Sequence, residues 1–300
     1  MDVQKNKALR RMIQCFSLFL VLRVLEELVI IPHFDTMGLI ASIGGLIVLL
    51  IYIRFINKPL DEIGMLFSGH KVSKGIGIAL LINILPAVIV YLMEYRHYAA
   101  LGGYARMTLF YDVASRSYSA AGLTGFLLWT AAGLVIGIIN ALFYEISFRG
   151  LLITLGSRSL HFATINTIQA ALYTAWYLIP IARVALYNLG SGGITVQRLV
   201  LLLIVTLCYE LITGIKLGLL RFSIGAVWVC IFDHAIFAFV LDMIHLQYTA
   251  VDGTVMLDQS YYWRIISYQT IALLITLIYY RYKKNKIRQI QQERQMEQSA

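Results

Sequence analysis

The apolar positions of this chain fall in long runs rather than in short alternations. Eight stretches, at 12–31, 37–56, 75–95, 121–143, 164–185, 197–220, 225–247 and 262–280, are each about as long as the roughly 20 residues that cross the hydrocarbon core of a bilayer. In lipid a segment must satisfy its own backbone N–H and C=O groups, so the predicted elements are helices. The expected architecture is all-α: a polytopic membrane helix bundle of about eight transmembrane helices.

Composition agrees with the pattern. Of 300 residues 59% are hydrophobic, only 14% are charged, and mean hydropathy is +0.75. A water-soluble domain is nearer one quarter charged, and so few charges could not cover a wet surface. The three cysteines, Cys15, Cys208 and Cys230, all lie in apolar stretches without metal-ligand or disulfide spacing, and read as packing residues. The net charge of +9 is distributed unevenly. Eighteen Lys and Arg fall in one set of alternating segments: Lys5 to Arg11, Arg54 to Lys74, Arg149 and Arg158, Lys216 and Arg221, and the tail from Arg281 to Arg294. Six fall in the other: Arg96, Arg106, Arg116, Arg183, Arg198 and Arg264. The positive-inside rule then places both termini in the cytoplasm of a cell-membrane protein, with the basic excess against anionic lipid headgroups. Membrane lipid is thus the expected partner of these charges. Nucleic acid is not, because the basic tail lacks interleaved aromatics. That tail reads as a surface helix or a disordered end. The aromatics of the 98–120 loop, among them Tyr98, Tyr104, Phe110, Tyr111 and Tyr118, read as an outer interfacial segment.

Ionisable residues at bilayer depth need a partner or a function. Arg23 is three and four residues from Glu26 and Glu27, a spacing that puts both carboxylates within its reach on one helix face. Glu145 and Arg149 are four apart and can pair along the fourth helix, either as an acidic site held by an arginine or as an ion pair pinning the helix end. Asp233 and His234 sit in the seventh, with Asp242 and His245 near its outer end. Being adjacent, Asp233 points about 100° away from His234 and is not its natural partner. A lone intramembrane His is either a packing group that hydrogen-bonds between helices or a catalytic group.

Together, Tyr144–Glu145–x–x–x–Arg149–Gly150, the segment around Trp176, and the Gly214/Gly218/Gly225 region leading to His234–x–x–x–Ala238 resemble the three motifs of the CAAX-protease and bacteriocin-processing (Abi) family of glutamic-type intramembrane endopeptidases. The resemblance spans roughly 120–245. It divides the chain into an N-terminal part, 1–120, without a matched motif, the CAAX-protease-like core, 120–245, and a last span with its basic tail, 246–300. It implies catalytic remnants at Glu145, Arg149 and His234. It also implies that the first motif's leading Glu is replaced by Tyr144, the second motif's His by Trp176 and the third motif's Asn by Ala238. Trp offers one N–H and no acceptor, and Tyr, with a reference pKa of about 10, is a poor base, so both water-activating positions are lost. One His and one Glu on different helices also fall short of the usual three protein ligands of a catalytic metal. No metal or other cofactor is expected.

Three functions follow. The first is a catalytically degenerate scaffold that binds a hydrophobic or prenylated peptide, or another membrane protein, in immunity or peptide maturation. The second is an active intramembrane endopeptidase using Glu145 and His234. The third is a transporter or channel, which no inverted repeat supports.

Overall fold

A computed structural model describes residues 2–32, 39–57, 59–65, 69–109, 118–157, 159–257 and 261–299. The fold is helical. Helix α1 (Asp2–Leu25) runs on through a π-helical turn, Glu26–Ile30. Then come α2 (Leu39–Phe55), the short α3 (Leu60–Ile63), α4 (Gly69–Ala100) and α5 (Tyr118–Glu145). A second π-helical turn, Ile146–Leu152, joins α5 to the short α6 (Ile153–Gly156). Helices α7 (Phe162–Asn188), α8 (Val196–Ile224), α9 (Trp228–Met243) and α10 (Tyr261–Ser299) complete the bundle.

Each of the eight apolar stretches overlaps one of these helices, although 37–38 lie outside the described residues and 225–227 precede α9. Residues 244–247, expected to continue the seventh helix, form strand β2 (Ile244–Thr249). This strand pairs antiparallel with β1 (Tyr104–Leu109) on one side and β3 (Val255–Leu257) on the other. The register puts Tyr104 opposite Thr249, and Tyr98 stacks on Tyr248 with centroids 4.9 Å apart. Of the expected outer loop, residues 98–100 end α4 and 104–109 pair in the sheet, with Tyr98 buried and Tyr104 exposed. Phe110, Tyr111 and Arg116, like Lys58 and Arg158, lie outside the described residues, as do the side chains of Tyr118 and Asp242. The basic tail is helical, as the exposed end of α10.

Among the described residues four segments are long and apolar enough to cross a membrane: 72–100, 130–156, 162–188 and 196–224. Helix α2 and residues 228–241 of α9 are apolar but shorter. The outward faces of these helices are apolar too: Ile51, Leu81, Met93, Leu128 and Ile204 are all exposed. In water such a surface would drive aggregation.

Sequence dictates the closest joints. Thr195 caps α8 by accepting from the Arg198 N–H, and Gly225 ends it with φ +74°, a conformation that glycine adopts without a Cβ penalty. At Gly214 a Cβ would lie 2.8 Å from Ala170 Cα, so glycine is what lets α7 and α8 touch. The main core holds Met12, Phe16 and Phe19 of α1 against Phe143, Phe148 and Trp176, so the N-terminal part and the motif-bearing part share one interior.

Candidate functional site

Glu145, Arg149 and His234 converge. Glu145 ends α5, Arg149 sits in the π-helical turn, and His234 comes from α9. Glu145 Oε1 accepts from Arg149 Nη1 at 3.1 Å and lies 2.8 Å from His234 Nδ1, so an ionised Glu145 fixes Nδ1–H as a donor and leaves Nε2 as the free acceptor. Glu145 and Arg149 are wholly buried. The guanidinium lies 4.0 Å from the centroid of the Tyr173 ring, a cation–π contact made in a dry interior. The helical spacing of four is thus a real pair. The partner 89 residues away is brought by the packing of α5 on α9.

Tyr144 and Trp176 meet each other. Their centroids are 5.9 Å apart and the rings are edge-on. Trp176 is fully buried and touches Phe143 and Phe148 as well, while Arg23 lies over its ring at 5.6 Å. Tyr144 also lies 5.6 Å from His234. Ala238 lies one turn beyond His234 on α9, half-buried, and brings no donor.

The remnant site is incompletely satisfied. Glu145 Oε2, Arg149 Nε and Nη2, and Trp176 Nε1 are buried without a hydrogen-bond partner among the described residues. A buried unpaired polar atom costs about 1–3 kcal/mol, so these four weaken the interior they occupy.

The other expected pairs fall as follows. Arg23 binds Glu27 at 2.8 Å and approaches Glu26 at 3.8 Å. Glu27 also accepts from Arg183 of α7 at 2.8 Å, and Glu26 accepts from the backbone N–H groups of Ile40 and Ala41 that open α2. These residues tie three helices together. Asp233 indeed turns away from His234: it accepts from Lys216 Nζ at 2.6 Å and from Asn83 Nδ2 at 3.0 Å. His245 is buried in β2. Among the described residues no group of three or more His, Cys, Asp or Glu is placed to hold a metal.

Sequence reading missed several residues here. Lys216 counted as a headgroup-facing charge, but it is fully buried in the Asp233 pair. Arg264 counted as an outer charge, but it makes a buried two-pronged bond to Glu94 at 2.7 and 2.9 Å. Without these two and the equally buried Arg149 the asymmetry is still sixteen against five. Glu210, midway along α8, went unremarked though it is buried. The signal for all three was an ionisable residue within an apolar run. Cys208 is exposed, so the packing reading holds only for Cys15 and Cys230, which are buried. Set against known proteins, the chain matches no family model and no curated relative.

Proposed function

We propose that the chain is a polytopic cell-membrane protein with about eight spans and both termini cytoplasmic. We also propose that it serves as a non-hydrolytic, CAAX-protease-like scaffold binding a hydrophobic peptide or a membrane partner. The topology rests on the basic asymmetry and on the apolar outer faces. At 17 and 16 residues, α2 and α9 span about 25 Å, slightly short of the hydrocarbon core, a mismatch that local bilayer thinning accommodates. Labelling of cysteines introduced at positions 5 and 290 is expected only from the cytoplasmic side. Labelling of either from outside contradicts the topology.

The observation that carries the scaffold reading is the Tyr144–Trp176 contact inside the aromatic core. Hydrolysis of a peptide needs a base near a water and donors for the oxyanion. Two packed aromatic rings supply neither the base nor the space for the water. Retention of the Glu145–Arg149 pair is what a scaffold requires, because a stranded buried charge is costly.

One observation favours an endopeptidase instead: the 2.8 Å contact of His234 with Glu145, which orients the ring with Nε2 open as a base. The two readings separate in one assay. Purified protein is offered prenylated and bacteriocin-leader peptides, and the products are weighed by mass spectrometry. The scaffold reading expects intact peptide. Cleavage by the wild type that is lost in folded Glu145→Gln and His234→Gln would establish the endopeptidase.

A further inference from the structure

A second buried acid stands apart from the motif remnants. Glu210 is 2% exposed, and its Oε2 has no hydrogen-bond partner among the described residues. It lines a cavity of about 300 Å³ between α7, α8 and the start of α10. The walls are otherwise apolar and aromatic, with Tyr177, Tyr209, Tyr261, Tyr262 and Thr206 the polar-tipped contributors. Tyr261 and Tyr262 are exposed and stand edge-on to each other at the mouth. Tyr177 separates the cavity from the remnant site: its hydroxyl is 3.3 Å from that of Tyr173, on whose ring Arg149 lies.

Three features of this cavity select one ligand chemistry. The first is charge. Glu210 is a buried carboxyl whose Oε2 has no partner among the described residues, and no Lys or Arg lines its cavity. A cation entering the cavity would supply that missing partner. The second is the walls. Tyrosine rings attract cations through their negative faces, and several such rings around one acid form the cage that recognises ammonium groups. The third is apolarity, which disfavours a hydrated inorganic ion and favours a cation that carries its own apolar surface.

We infer that the Glu210 cavity is a binding site for an amphipathic organic cation, an alkylated ammonium group whose charge meets Glu210 and whose apolar part fills the space between α7, α8 and α10. The inference does not rest on the scaffold reading, since it uses none of the motif remnants.

The test uses the full chain, purified in an uncharged maltoside detergent and titrated calorimetrically with benzyltrimethylammonium and with its uncharged carbon isostere, neopentylbenzene. Saturable binding of the cation is expected, weakened at least tenfold for the isostere and at least tenfold in Glu210→Gln. Absence of saturable binding, equal affinity for the isostere, or unchanged affinity in Glu210→Gln overturns the assignment. If Glu210→Gln does not fold, Val184→Trp, which fills the cavity from α7 and leaves the carboxyl in place, carries the test, and unchanged affinity there overturns it equally. Nanodiscs distinguish the source of the cation. Binding that persists in phosphatidylglycerol but vanishes in phosphatidylcholine identifies a lipid trimethylammonium headgroup as the occupant. Binding in both identifies a soluble amphipathic amine.

Discussion

Asp233 and His234 are neighbours on α9, yet they enter opposite kinds of interior. Asp233 faces α4 and α8, where Lys216 and Asn83 donate to it, and Asn83 in turn accepts from Tyr268 Oη at 2.7 Å. Every polar group of this network that the geometry records is partnered. His234 faces α5, where it shares Glu145 Oε1 with Arg149, and where three further polar atoms of the Glu145–Arg149 pair are buried without a partner among the described residues. The helix thus separates a closed ionic network from an open one. A closed network fixes helix positions and leaves nothing to react with. An open one costs stability and keeps polar capacity in reserve, which is the mark of a binding or catalytic site or of its remnant.

Breaking the closed network carries the largest expected effect. Lys216→Met strands Asp233 and is expected to cost about 5 kcal/mol, seen as a lowered Tm in detergent. The double change Lys216→Met with Asp233→Leu is expected to be milder than the single one, because no charge is left unpaired. A double variant as unstable as the sum of its parts would show that the pair is not coupled.

The open site follows with a smaller loss. Arg149→Ala strands Glu145, at a cost of about 3 kcal/mol, and Glu145→Ala with Arg149→Ala is again expected to be milder. Equal stability of all three chains would show that the pair contributes nothing. Smaller still is the helix joint behind the site. Gly214→Ala puts a methyl against the Ala170 backbone and is expected to cost about 1–3 kcal/mol by overpacking. An unchanged Tm would mean that α7 and α8 move apart freely.

Much of this was legible in the sequence. Apolar run length located the helices, and spacings of three and four found the Arg23 and Arg149 pairs, because contacts along a helix depend only on local geometry. The Asp233–His234 divergence was legible for the same reason. The sheet was not, since Tyr104 and Thr249 meet across nearly half the chain without any local signal. Nor was the Glu145–His234 contact, which depends on how α5 crosses α9. Lys216 and Arg264 were misplaced because charge alone does not distinguish a headgroup contact from a buried pair.

The claim that α9 divides structure from site is tested most directly by comparing Asp233→Asn with His234→Gln in one thermal melt. Asp233→Asn keeps the side chain's shape but strands Lys216, with an expected loss of about 3–5 kcal/mol. His234→Gln removes one bond to Glu145 that Arg149 retains, with an expected loss of about 1 kcal/mol or less. A clear drop in Tm for the first and a small one for the second is the result the account predicts. Equal losses, or a larger loss at His234, would contradict it.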